Sequence, residues 1–221
     1  MSDVAANVVE VERRIAAACA RAGRSRGEVT LIAVTKTFPA DAVSAALAAG
    51  ISDVGENRVQ EARDKKPSVA SPARWHLIGH LQSNKAKDAV KLFDVIQTVD
   101  SFALAEKIAR AAEGAGKRQE VLLQINVGRE AQKSGVDPED SARVLAEVQK
   151  LEALDVRGVM AIPPAADDPE ESRRWFRDLR TLRDALGVRE LSMGMSADYE
   201  VAIEEGATMV RVGSAIFGSR H

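Results

Sequence analysis

The sequence predicts a single (β/α)8 barrel. Eight short runs rich in β-branched residues alternate with amphipathic runs along 221 residues, a pattern that implies parallel strands joined by crossover helices. Glycines and acidic caps punctuate the helical runs. Chemistry-bearing residues also gather just after the first strand and the last two, where barrels place their working groups. An open doubly wound sheet is the other reading of the same alternation.

The first segment reads as a helix outside the repeat. Val4, Val8, Val11, Ile15 and Cys19 fall at three-to-four-residue spacing and Gly23 ends the run, so residues 1–23 form an extra N-terminal helix packing on the barrel. The expected strands are 29–34, 51–55, 74–79, 93–99, 120–127, 156–162, 190–194 and 208–213. Asp137 and Asp168 each precede a proline and further acids, which marks two helix starts. Gly50 and Gly187 stand where helices should end. No linker, repeat or low-complexity tract divides the chain, so one domain over 1–221 is expected.

Composition bounds the partners. Apolar residues at 45% and charged residues at 29% suit a soluble globular protein. A net charge of −2 gives no basic excess for nucleic acid or a membrane surface. The one cysteine, Cys19, excludes an intramolecular disulfide and fits a reducing compartment. With no signal-like start and no apolar run of about 20 residues, a cytoplasmic location is expected.

Lys36 follows the first strand directly, in Thr35-Lys36-Thr37. Most lysines at strand ends are merely solvated, but one partly desolvated in a cavity serves as a Schiff-base amine. The turns after strands seven and eight, Gly194-Met195-Ser196-Ala197-Asp198 and Gly213-Ser214-Ala215, each offer glycine, a hydroxyl and backbone N–H groups. Barrels commonly hold phosphate there, although small residues also simply make tight turns. Alternation puts Met209, Arg211 and Gly213 on one face of the last strand and Val210 and Val212 on the other. The valines belong under the outer helices, so Arg211 points into the barrel, toward either a carboxylate or a ligand. Glu56-Asn57-Arg58 lies on the rim with Lys36, where capping and surface charge are the plain reading. His76 and His80 do not make a helical metal pair, and Trp175 and Phe176 read as a helix packing face. Walker A, dinucleotide and nucleophile-elbow motifs are all missing.

The stretches LIAVTKTFPADAV, DVGENRVQEARDK, WHLIGHLQSNKAKDAV, INVGREAQKSG, RGVMAIPP and LSMGMSADYEVAIEEGATMVRVGSAIFG closely resemble the YggS/PROSC family of pyridoxal phosphate homeostasis proteins. The resemblance implies a barrel like the N-terminal domain of alanine racemases (fold type III) binding pyridoxal 5'-phosphate. On it, Lys36 corresponds to the Schiff-base lysine, and Met195, Ser196, Gly213 and Ser214 to the phosphate turns. Arg211 corresponds to the arginine facing the pyridine nitrogen, and Asn57 to a residue lining the pocket. It further implies a role in vitamin B6 homeostasis rather than a settled reaction, with apo-enzymes as recipients of the cofactor. An amino-acid racemase is the alternative, and a barrel enzyme acting on phosphorylated sugars a more distant one. Alanine racemases draw a second base from a tyrosine on a separate β-domain across a dimer interface. Eight βα units leave no room for such a domain here, the only tyrosine is Tyr199, and a monomer is expected.

Overall fold

The computed structural model describes residues 3–130 and 132–218. Eight parallel strands close into a barrel in chain order: β1 (Thr30–Val34), β2 (Asp53–Glu56), β3 (Arg74–Leu77), β4 (Val95–Val99), β5 (Gln119–Gln124), β6 (Leu154–Met160), β7 (Glu190–Met195) and β8 (Met209–Val212). Closure is made by β1 and β8, paired from Thr30–Met209 to Ala33–Val212. The open sheet is thereby excluded. The outer layer holds α2 (Ala40–Ala48), α3 (Val59–Lys65), α4 (Ala86–Leu92), α5 (Phe102–Gly114), α6 (Ser141–Val148), α7 (Arg173–Leu186), α8 (Tyr199–Glu204) and the short α9 (Ser214–Phe217).

The two-residue period of each strand sorts its side chains. Leu31, Ala33, Val210 and Val212 join the large core between strands and helices, whereas Ile32 and Met209 meet Leu122 and Met160 inside the barrel. Each fully buried Leu, Ile, Val or Phe contributes about 1.5–3 kcal/mol. The outer core holds dozens of such residues. It therefore carries the stability and leaves the interior able to accommodate polar groups.

Helix α1 (Val4–Arg21) buries Val8, Val11, Ile15, Ala18 and Cys19, as its spacing predicts, and Asp3 caps it by accepting from the Ala6 N–H at 3.1 Å. The first two residues of the expected helix lie outside the described residues. The α1 helix packs on α8 and α9. Asn7 donates to the Ile216 carbonyl at 2.8 Å, while Arg14 and Arg21 pair with Glu200 and Arg21 also with Glu204. Gly187 ends α7 at φ +67° and Gly50 follows α2 at φ +95°.

Some expectations shift. Asp168 accepts from the Glu170 N–H at 2.9 Å, but Asp137 makes no such bond. A 3-10 turn follows each of them, Pro138–Asp140 and Pro169–Ser172, before α6 and α7 begin, and Ser141 starts α6 by donating to the Pro138 carbonyl at 2.6 Å. The second strand starts at Asp53 rather than residue 51, because Ile51 is still bonded back to Ala46 of α2. The fifth stops at Gln124, since Ile125 bridges to Val136 in the following loop.

Candidate functional site

A cavity of about 790 Å³ opens at the carboxyl end of the barrel. Lys36, Asn57, Met195, Ser196, Arg211, Gly213 and Ser214 all line it, so every site residue expected from sequence falls in one place. Val34 and Ile78 add apolar wall, and Met195 and Ile162 sit at the lip, 39% and 37% exposed.

Lys36 lies in the turn two residues past the end of β1 and lines the cavity beside Val34. Both of its neighbours are tied to the opposite side. Thr35 donates its hydroxyl to Glu56 Oε1 at 2.6 Å, and Lys65 Nζ donates to the Thr35 carbonyl and to Glu56 Oε1, each at 2.7 Å. The Thr37 N–H donates to Glu61 Oε2 at 2.6 Å, with Thr37 held at φ +68°. Glu56 is completely buried, which corrects its reading as capping or surface charge. Burial pushes its carboxyl up, against the pull of Lys65 and Thr35. Burial acts the same way on Glu61, but there the Thr37 N–H and Lys65 win and hold it below the ordinary range.

The two glycine-serine turns meet. Asp198 closes the first by accepting from the Met195 N–H at 2.7 Å. Ser196 Oγ accepts from the N–H groups of Gly213 at 3.1 Å and Ala215 at 3.4 Å, which belong to the second turn. The hydroxyl stands where an anion's oxygen would collect the same donors, and its own proton remains available to donate. At the other side of the lip, a Cβ on Gly79 would come within 2.3 Å of the Asn57 carbonyl. Only glycine lets the segment after β3 pass this close to Asn57 at the cavity edge.

Arg211 is 3% exposed. Nη1 donates to Ser192 Oγ at 2.6 Å and Nη2 to the Ala161 carbonyl at 2.9 Å; among the described residues it makes no ion pair with a carboxylate. Burial pushes its pKa down to about 10, partly offset by the charge of Asp198, so it remains a cation at neutral pH. Two of its five N–H bonds are used in these contacts, which leaves donors facing the cavity it lines. Lys133 and His80 add further basic groups to the wall.

The two histidines among the described residues do not converge. His76 lies inside the barrel against Asp53 and Gln97, and His80 is on the rim beside Asp100. Phe176 is buried and Trp175 half-buried on α7, where Arg174 stacks on the indole at 4.5 Å. Tyr199 is buried beneath α1 with Arg14 over its ring at 5.3 Å, and does not line the cavity. Sequence reasoning missed Lys65, Glu61 and the interior residues Gln97 and Ser192. Parity alone offered a signal for the last two.

A closed parallel barrel with Lys36, Arg211 and two glycine-serine turns around a cavity at its carboxyl end is a domain of the alanine racemase type. Residues 8–221 match the family described as "Alanine racemase, N-terminal domain". Alanine racemase from Corynebacterium glutamicum shares the fold at TM-score 0.73 and 20% identity, with 99% of this chain covering 61% of that one. Much nearer is the pyridoxal phosphate homeostasis protein of Pseudomonas aeruginosa, 44% identical over all of this chain and 97% of its own. PipY of Synechococcus elongatus, solved with PLP bound, superposes at TM-score 0.83 and 40% identity over 94% of this chain and 100% of PipY. This chain belongs to the pyridoxal phosphate homeostasis protein family.

Proposed function

We propose that the protein binds pyridoxal 5'-phosphate as a Schiff base on Lys36 and buffers or delivers it to apo-enzymes that use it. The observation that carries this reading is the convergence on one cavity of a lysine amine, an anion cradle and a buried guanidinium. The residues fit the cofactor group by group. The Gly213 and Ala215 N–H groups with the Ser196 and Ser214 hydroxyls suit the phosphate, Arg211 suits the ring nitrogen, and Asn57 suits the pocket edge. When bound, the cofactor supplies an aldehyde that condenses with amines. Arg211, always a donor, would keep the ring nitrogen an unprotonated acceptor, which weakens the ring as an electron sink. That favours holding over turnover. The partly exposed lip at Ile162 and Met195 suits a carrier that must release what it holds. Tyr199, sequestered under α1, cannot act as the opposing base a racemase needs.

Borohydride reduction followed by peptide mass spectrometry tests the link. The cofactor mass should sit on Lys36 and vanish in Lys36→Ala. Recovery on Lys85 or Lys133 in the unmodified chain would overturn the assignment. Pyridoxal lacking the phosphate should bind at least about ten-fold more weakly, since hydrogen bonds to a charged group are worth roughly 1.5–3 kcal/mol.

A further inference from the structure

The interior of the barrel holds an unbroken line of polar side chains that begins at Arg211. Arg211 Nη1 donates to Ser192 Oγ at 2.6 Å, and Ser192 donates across the lumen to Gln97 Oε1 at 2.6 Å. The Gln97 amide nitrogen lies 3.0 Å from His76 Nδ1, and His76 Nε2 lies 2.8 Å from Asp53 Oδ1. The line crosses from β8 and β7 to β4, β3 and β2, and Asp53, His76, Gln97 and Ser192 are all buried.

The orientation of the Gln97 amide sets the directions. Because Gln97 Oε1 accepts from Ser192, the amide nitrogen faces His76, and an amide N–H only donates. His76 Nδ1 therefore accepts, its proton sits on Nε2, and Nε2 donates to Asp53. Every link points the same way, from the guanidinium cation to the carboxylate. Ser52 supplies Asp53 with a further donor at 2.5 Å. Burial would raise the Asp53 carboxyl, but His76 and Ser52 outweigh it and keep it ionised. A buried polar chain with every member satisfied is rigid, and aligned dipoles reinforce one another. A buried cation with no carboxylate in direct contact needs such support.

We propose that Asp53, His76, Gln97 and Ser192 are positioning residues for Arg211, an oriented chain through which a remote carboxylate fixes the guanidinium toward the ring nitrogen. This rests on the reading that Arg211 meets that nitrogen, and the test separates the two. Binding is measured for pyridoxal 5'-phosphate and for its 1-deaza analogue, which lacks the nitrogen. The unmodified protein should prefer the natural ligand by about ten-fold, the value of one charge-assisted hydrogen bond. In Asp53→Asn and in His76→Phe the preference should fall below about three-fold while affinity for the analogue changes little. A merely structural role would weaken both ligands alike. Ser192→Ala cuts the chain beside Arg211 and gives the same reading should His76→Phe not fold. Undiminished preference in these variants, or equal weakening of both ligands, overturns the proposal. Equal binding of the two ligands by the unmodified protein overturns instead the placing of Arg211 on the nitrogen, and the proposal with it. A readout independent of any ligand is the nitrogen NMR of His76 in the free protein. A bare, accepting Nδ1 with the proton on Nε2 is expected, and a proton on Nδ1 overturns the direction of the chain.

Discussion

Thr37 holds φ at +68°, a conformation that a β-branched residue adopts only when its surroundings impose it. The imposing group is Glu61, which accepts the Thr37 N–H, while Lys65 and Glu56 fix Thr35. Lys36 is thus stretched between two pinned neighbours. Strain of this kind costs of order 1–3 kcal/mol, and glycine escapes it for about 0.5–1 kcal/mol of added chain entropy. Thr37→Gly should therefore stabilise the fold by about 1 kcal/mol, raising the melting temperature by roughly 2–4 °C. The same change should loosen Lys36 and weaken aldehyde binding. A thermal melt and a cofactor titration check the two signs together, and a drop in melting temperature would contradict the strain account. At this scale the sequence was readable where position along a strand decides the matter: Lys36 was placed by following the first strand directly, and Arg211 by alternation within the last. It was not readable for Glu56, whose burial depends on Lys65 arriving from α3 to neutralise it, a tertiary event that no local pattern announces.

The β7–α8 turn is the element on which the anion cradle rests. The β7–β8 pairing changes register between Ser192 and Met195, and Gly194 sits there at φ +86°. A Cβ on Gly194 would lie 2.5 Å from the Ala202 Cβ, so the glycine lets α8 close onto the strand. Gly194→Ala should destabilise by about 2 kcal/mol or more through a strained φ and overpacking. It should also shift Ser196 and weaken pyridoxal phosphate. Adding Ala202→Gly restores the space but not the φ, and should recover part of both losses. Denaturant unfolding with a binding titration tests this, and no recovery in the double variant would rule out the steric part. Strand positions were legible from alternation and helix ends from glycines, but the 3-10 turn at Pro138–Asp140 was not. Both Asp-Pro starts open a 3-10 turn ahead of the α-helix, a difference the capping pattern does not announce.

Across the whole molecule, α1, α7 and α8 are tied by one ionic web. Glu205, only 7% exposed on its side chain, faces Arg173, Arg177 and Arg180, and Glu204 joins Arg173 to Arg21. Burial would raise both carboxyls, yet the arginines hold them below the ordinary 4.5. Lowered folded pKa values mean that stability is fully present above the unfolded value and is lost as pH falls through the folded one. The protein should keep its stability down to about pH 4.5 and lose it progressively below. Glu205→Gln should cost stability at pH 7 and flatten that acid limb; urea unfolding at pH 7 and pH 3 compares the two, and an unchanged slope would discount the web. The barrel itself was legible from eight repeats, whereas the polar line through its lumen was not, since it joins strands far apart in the chain. The web and the closing strands share a further consequence, which concerns the order of events during synthesis. Asn7 of α1 is made well before its contact at Ile216, which lies 209 residues further along the chain. At about 5–20 residues per second, α1 waits roughly 10–40 s for its seat. During that time its apolar stripe belongs to whatever chaperone meets it, and the barrel cannot be sealed. The anion cradle, made from the turns after β7 and β8, is completed only once β8 has been made, so a shorter nascent chain has nowhere to keep a reactive aldehyde.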